Sequence, residues 1–436
     1  MIYSPEGMSK SLRAYAEEMR EAQIWPSAIS ACHKALSIDS RDTIARGSLA
    51  CCYWNMGLYE ECLEENLKCY TLTNGAFGVV ANLAMLHHAM RRYATAEKYF
   101  DEAMAKAPGE KERISVTWDR AQMRLERGQW KQGFEDYEAR IPMAGDYVKL
   151  PAPLWKGEDL SNKSLWVQME QGLGDRILLS RYFAEIKRRW PTCTIKSCFG
   201  VLADLFYEFR DIVEDRPDGV PYPDMDYGVY QASLPGILGS TPGNVPPDPG
   251  FIKKRLEKQL ALGTFECPEP MLKSIKVGVA WTGNSLMKRN NLRSIPFEKI
   301  LTLAEDQNVT LYSFQVGSED ISKFKAGELI HDFGPELKEY GFVAGGVAMS
   351  SMDIIVTVCT GTAHYAGALG LKTLTLLSWD PYWVWLQEGT ATRKDSVWYP
   401  NTTIIRQSKP GDWDGVIKRA KKELDILIGE KIKIPA

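Results

Sequence analysis

The sequence contains no long apolar run. No stretch approaches the roughly 18 uninterrupted apolar residues of a membrane span, and the first 25 residues, MIYSPEGMSKSLRAYAEEMREAQIW, carry too many charges for a secretory signal. A cytoplasmic setting with no membrane span is the expectation. CxxC pairs are missing too. The nine cysteines are odd in number; Cys51 and Cys52 adjoin, while Cys32, Cys62 and Cys69 recur where a helical repeat would bury them. Reduced core residues are therefore expected, rather than disulfides or zinc ligands. Basic charge is not in excess: 53 Lys and Arg against 56 Asp and Glu give a net charge of −3. That excludes a generally basic nucleic-acid binder and leaves only a local basic groove. The length of 436 residues exceeds one compact core, so two or three domains are expected.

What is present begins with a repeat. Trp25, Tyr59 and Tyr93 stand 34 residues apart, and their neighbours keep the phase. Ala28, Cys62 and Ala96 recur at that interval, as do Ala35, Cys69 and Ala103. Ser40, Asn74 and Pro108 mark the unit ends. The period and the small residue three after each aromatic resemble the tetratricopeptide repeat, a pair of antiparallel helices whose stacked neighbours supply the core that one pair cannot bury alone. A fourth, divergent unit follows, with Trp130 in the aromatic place after a short insertion. The repeats offer a surface for a protein partner or for self-association, or act as structural support. His87 and His88 lie within a repeat helix without a suitably spaced third ligand and are read as packing or surface residues.

After Pro151 and Pro153 the texture is α/β. Leu165–Met169 reads as a strand, Gln171-Gly172-Leu173-Gly174-Asp175 as a turn, and the residues after it as an amphipathic helix. GLGD lacks the third glycine of the dinucleotide fingerprint. Its glycines can instead bring backbone close to a substrate, with Asp175 at the helix start as a functional carboxylate or simply a cap. A proline- and glycine-rich passage contains Asp224 and Asp226 in a DxD pattern; Asp412 and Asp414 repeat it at a probable helix start, which weakens it as a metal motif. A second α/β unit opens with the strand Lys276–Ala280, followed by Trp281-Thr282-Gly283-Asn284 and a loop with Lys288, Arg289 and Arg293, donors that a diphosphate needs. Gln315 stands at a strand end, and a helical stretch runs from Tyr340 to Ser351. The stretch from Asp353 to Gly370 then reads as a buried parallel strand, a tight turn at Cys359, Thr360, Gly361 and Thr362, and a small-residue helix containing His364. A helix start at the carboxyl end of a strand presents N–H groups and a positive dipole end to a phosphate. The fold class is thus α + α/β.

EQGLGDRILLSRYF, VAWTGNSLMKRNNLRSIPF, SFQVG, CTGTAHYAGALG and WDPYWVWLQEGTATRKDSVWYPNTTIIRQSKPGDWDGVI together resemble bacterial and phage proteins that join tetratricopeptide repeats to a region similar to the heptosyltransferases. A remoter likeness is to the O-linked N-acetylglucosamine transferases. The resemblance implies repeats over residues 1–142 and a GT-B pair of Rossmann-like domains, acceptor-side at 150–270 and nucleotide-sugar at 271–436 with a C-terminal helix. It implies metal-independent, inverting transfer from a nucleotide-diphosphate sugar, without a cofactor, to a glycan, protein or modified nucleic acid. Asp175 matches the general base. Gly172, Gly174, Trp281, Gly283, Asn284, Lys288, Arg293, Gln315, Cys359, Thr360, Gly361, Thr362 and His364 fall at donor-binding positions. Where the family has an aspartate before the threonine, this chain has Cys359, which alters donor choice, reduces activity, or marks a lapsed enzyme that works as a scaffold through its repeats.

Overall fold

A computed structural model describes residues 4–143, 149–150, 152–210, 212–215, 224–261, 274–285, 287, 289–305, 308–317, 319–327, 329–387 and 395–432. The chain divides into two compact units, one of Met1–Arg124 with Asp136–Gly145, the other of Leu125–Glu135 with Asp146–Ala436.

The first unit is a stack of helix pairs set by the 34-residue period. The second helices of the pairs start at the repeated aromatics: Trp25–Ile38, Tyr59–Thr73 and Tyr93–Lys106. The in-phase small residues Ala28, Cys62, Ala96, Ala35, Cys69 and Ala103 are all buried, which lets neighbouring helices approach closely. Asn74 ends the second such helix in the left-handed conformation that asparagine tolerates. His87 is buried, with its ring stacked on Tyr99 at 5.3 Å, and burial lowers its pKa. The helix Trp130–Tyr137 begins where the divergent repeat is expected, but Leu125–Glu135 belongs to the second unit. Trp130 is buried there, stacked on Trp398 at 5.1 Å and edge-on to Trp383.

The second unit holds two parallel sheets. The first contains β1 (Ser164–Gln168), β2 (Thr194–Ser197), β3 (Val213–Asp215) and β4 (Tyr227–Tyr230) in the order β3-β2-β1-β4. The second contains β5 (Ile275–Ala280), β6 (Val309–Ser313), β7 (Ile330–Asp332), β8 (Ile354–Val358), β9 (Thr373–Leu377) and β10 (Thr402–Arg406) in the order β10-β9-β8-β5-β6-β7. This is a GT-B type pair of Rossmann-like sheets following helical repeats. The β-branched run after Asp353 forms β8, flanked by β5 and β9 and buried along its whole length, as a strand covered on both faces requires. Its side chains share one core with β5, β6, β9 and the C-terminal helix Trp413–Ile432.

Two elements depart from the sequence reading. The helical stretch expected from Tyr340 begins earlier, at Gly334, and is broken at Gly341, whose φ of 70° suits glycine. The proline-rich passage still contributes β4, because Tyr227–Tyr230 pairs with Leu165–Gln168. Asp226 sits at the other end of that strand from the crevice side and accepts bonds from Ser164 N, Ser164 Oγ and Lys163 Nζ at 2.8–3.0 Å. These bonds hold its carboxyl down at about 2. Asp412 likewise caps the C-terminal helix by accepting from Gly415 N at 2.9 Å. One carboxylate of each DxD pair, Asp226 and Asp412, is thus occupied by clamping bonds. Among the described residues, no group of three or more His, Cys, Asp or Glu is placed to hold a metal ion, and no helix is long and apolar enough to cross a membrane.

Candidate active site

In each sheet the strand order reverses beside the first strand, at β1/β4 and at β5/β8. The crevice outside the carboxyl ends of strands at such a switch point is where open α/β sheets take ligands. The turn after β1 carries Gly172, Gly174 and Asp175; the turn after β5 carries Trp281, Gly283 and Asn284; the turn after β8 carries Cys359 to Thr362.

These turns meet. A Cβ added at Gly174 would lie 3.1 Å from Gly361 Cα and 2.7 Å from His364 Cδ2, so only glycine allows the first sheet's turn to rest on the helix Gly361–Ala368. Asp175 follows directly, third in the helix Leu173–Leu179, and its Oδ2 accepts the Gly172 N–H at 3.1 Å. It is therefore a cap and a crevice carboxylate at once. Burial pushes its carboxyl up to about 6, opposed by the Gly172 N–H and by a hydrogen bond from Tyr382, and the nearby Glu170 adds to the rise.

In the turn after β5, a Cβ added at Gly283 would fall 2.0 Å from the Arg293 guanidinium, so a larger residue there would displace that side chain. Arg293 Nε donates to Asn290 Oδ1 at 2.7 Å and its Nη1 points at the Cys359 carbonyl at 3.4 Å, bridging the two turns. Gln315 Oε1 accepts the N–H groups of Trp281 and Thr282 at 3.2 and 3.0 Å, so it shapes the β5 turn. The Trp281 side chain lies in the core, donating from Nε1 to Asp320 at 2.7 Å and packing on Phe297. Asn284 is exposed on the loop. Lys288 lies outside the described residues. Thr360 stands at the helix N-cap without a side-chain capping bond, and Gly361 is exposed with Thr362 half-buried beside it, which leaves the start of the helix open to solvent.

His364 is buried, stacked on Trp385 at 5.2 Å with Nδ1 3.3 Å from Tyr399 Oη. Burial and the Arg181 charge push its pKa down to about 3, so the imidazole is neutral and supports the Gly174 turn as a packing group. Cys359 Sγ accepts the Trp385 Nε1–H at 3.0 Å, and burial pushes its thiol up, which keeps it uncharged.

Sequence reasoning did not single out several residues that build this site. Arg181, 1% exposed, donates to the carbonyls of Pro246 and Trp398 at 3.1 and 2.9 Å and lies over the Tyr399 ring, tying the first sheet's helix to the second domain. Asp380 pairs with Arg289 at 3.0 Å. Tyr382 and Trp385 follow on the same segment. The only signal for Asp380, Tyr382 and Trp385 was their presence in the WDPYWVW stretch, where aromatic density reads equally as core, and for Arg181 its presence in EQGLGDRILLSRYF.

No protein-family model matches the chain. Among curated proteins, Protein FlbA of Caulobacter vibrioides is 24% identical over 358 residues, covering 74% of this chain; the chain spans 57% of FlbA's length. Among solved structures it is similar to a glycosyl transferase family 9 protein from Veillonella parvula, at 11% identity and TM-score 0.42, over 63% of this chain and 99% of that one. It is also similar to ADP-heptose heptosyltransferase II of E. coli, at 12% identity and TM-score 0.39, over 62% of this chain and 99% of that one. The O-GlcNAc transferase of Thermobaculum terrenum aligns with 99% of this chain and 94% of its own, at 11% identity and TM-score 0.33. All these TM-scores lie below 0.5, so the chain's own sheets and side chains carry the weight.

Proposed function

We propose that the second unit is an inverting glycosyltransferase that moves a sugar from a nucleoside-diphosphate donor to an acceptor hydroxyl. The observation that carries this is the contact of Gly174 with Gly361 and His364, which sets the Asp175 carboxylate beside the exposed helix start after β8. Asp175 takes the proton of the acceptor hydroxyl as its oxygen bonds to the anomeric carbon, and the bond from that carbon to the diphosphate oxygen breaks on the opposite side. The departing diphosphate gains negative charge. The N–H groups at the start of Gly361–Ala368 and the Arg293 guanidinium are fixed in place to offset it without reorganising. A carboxyl titrating at about 6 suits a base that works near neutral pH. The unnamed acceptor binds on the side of β1 and β4.

Calorimetry with ADP, GDP, UDP and CDP, and hydrolysis assays over a panel of their sugars, test the reading. One nucleotide is expected to bind, and Asp175→Asn should retain that binding while losing about 10²–10⁴-fold in turnover. A wild-type protein that binds none of them points to the rival, a scaffold whose transferase chemistry has lapsed; Cys359 in the place of the family's aspartate is what favours it.

A further inference from the structure

We infer that Asp380 is a positioning residue for the donor diphosphate: through its ion pair with Arg289 it ties the loop after β5 across the carboxyl end of β8, beside the start of the helix Gly361–Ala368. This rests on the proposed transferase reading.

The chain leaves β5 at Trp281 and returns beside it, the Trp281 carbonyl accepting the Ile295 N–H at 2.9 Å. Neutral bonds close the near part of this excursion. Thr282 Oγ1 accepts from Asn290 Nδ2 at 3.0 Å and lies 2.6 Å from Ser294 Oγ, which donates to the Asn290 carbonyl at 2.7 Å. The far part reaches sideways over the sheet. Strands β5, β8 and β9 are neighbours in that order, so a bond from the β5 loop to the segment after β9 crosses two strand spacings, about 10 Å. Two guanidiniums mark the crossing: Arg293 Nη1 meets the Cys359 carbonyl after β8, and Arg289 Nη1 donates to Asp380 Oδ2 at 3.0 Å after β9. Arg289 sits at φ 60°, a left-handed conformation that an arginine keeps where its surroundings enforce it. The receiving end is fixed as well. Trp379 N donates to Gln407 Oε1 at 3.0 Å, and Ser378 Oγ donates to the Asp380 carbonyl at 3.4 Å.

The side chains of Arg289 and Asp380 are only 20% and 21% exposed, so water and salt screen this pair less than an ion pair on the open surface. Its effect is to order an arginine before the ligand arrives. A guanidinium carries several N–H donors in a planar fork, and one of them bonded to a carboxylate leaves the group able to serve a phosphate as well. An arginine that is already fixed loses less rotamer freedom when it binds, which appears as tighter donor binding rather than faster chemistry. The helix start after β8 lies between the two guanidinium contacts in the strand order. A diphosphate there meets helix N–H groups and Arg293, with Arg289 held on the β9 side.

Asp380→Asn removes the charge and keeps the shape. The experiment compares the full-length wild type with Asp380→Asn, Asp380→Glu, Arg289→Gln and the Asp380→Asn/Arg289→Gln double variant. Amide hydrogen exchange is read over residues 289–295 without nucleotide, then ADP, GDP, UDP and CDP affinities by calorimetry, then KM and kcat for the matching donor sugar. In Asp380→Asn the Leu292 and Ser294 amides, which donate within this loop, are expected to exchange severalfold faster. The diphosphate Kd and the donor KM rise together by roughly three- to tenfold, the size of one partly buried charged pair, while kcat stays within about twofold. Asp380→Glu recovers most of the loss, and the double variant binds no more weakly than Arg289→Gln alone, because Asp380 acts through Arg289. Tighter diphosphate binding by Asp380→Asn overturns the assignment, since Asp380 would then compete with the ligand for Arg289. So does a fall in kcat at constant KM, or additive losses in the double variant. Unchanged exchange refutes the tether whether or not any nucleotide binds. A wild type that binds none of the four refutes the transferase reading, and the donor role of the pair with it, even where the exchange shows the tether itself to be real.

Discussion

Gly174→Ala isolates the contact on which the site is built. The new methyl would meet His364 Cδ2 at 2.7 Å and Gly361 Cα at 3.1 Å, against the ~3.5–4.0 Å at which carbon atoms pack without repulsion. Neither neighbour yields easily. The imidazole is stacked on Trp385 and bonded to Tyr399, and the second contact is backbone. Overpacking of this kind costs about 1–3 kcal/mol, while alanine returns less than about 1 kcal/mol of helix preference in a first turn. The net destabilisation is about 1–2 kcal/mol, read as a fall of a few degrees in the transition of the second unit. Gly429→Ala is the matched control: it also lies in a helix, but its Cβ meets nothing within 4 Å, so it should stabilise. In a His364→Ala background, Gly174→Ala should become milder by about 1 kcal/mol because the ring is gone. Calorimetry of the four proteins of that cycle checks this. Additive effects, or a Gly174→Ala protein as stable as wild type, would refute the close approach and with it the placement of Asp175 beside the helix start.

Other outcomes follow from the same geometry. His364 has a folded pKa near 3, below its usual unfolded value of about 6.5. Between these values only the unfolded chain binds the proton, so stability rises with pH across that window, and His364→Gln should flatten urea-unfolding stability between pH 4 and 6.5. Asp175 acts oppositely: its raised carboxyl destabilises the folded state as pH climbs from about 4 to 6, so Asp175→Asn should be more stable than wild type at pH 8 by thermal unfolding, even as turnover is lost. Trp130→Ala should lower the second unit's transition by about 3–5 kcal/mol, with the first unit's transition unmoved, since Trp130 packs on Trp398 and Trp383. Cys359→Asp puts a second carboxylate beside Asp175 and should shift the acid limb of turnover upward; an unshifted limb would place residue 359 outside the base's electrostatic reach.

The parts of the fold that repeat or run unbroken were legible in the sequence. A 34-residue period names the buried face of each helix pair because every copy must bury the same small residues against its neighbour. The run Ile354–Val358 reads as a covered central strand because β-branched side chains fill it from end to end without polar alternation, Thr357 included. Short edge elements left no such trace. β3 and β7 are three residues long, and β4 is marked only by its pairing with β1, which lies some 60 residues earlier in the chain. Trp130 stands, after a short insertion, at a helix start as each repeat aromatic does, but it packs on Trp383 and Trp398, contacts that no repeat period announces.

The candidate site divides along the same line, between what local sequence dictates and what only assembly supplies. Gly174 is needed by the close approach its turn makes to Gly361 and His364, so its chemistry shows in the chain. Pairings between distant stretches do not: Arg181 meets Trp398 across 217 residues and Arg289 meets Asp380 across 91. Cys359 belongs to both classes. In the sequence it is a missing aspartate. In the structure its sulfur occupies the acceptor position for Trp385 Nε1, so the segment carrying Tyr382 stays anchored without a charge at 359. An aspartate there would accept the same bond more strongly but would push the Asp175 carboxyl still higher, beyond the rise that burial and Glu170 already impose. The cysteine therefore exchanges some anchoring strength for a more readily ionised Asp175 carboxyl, which is the form the proposed base requires.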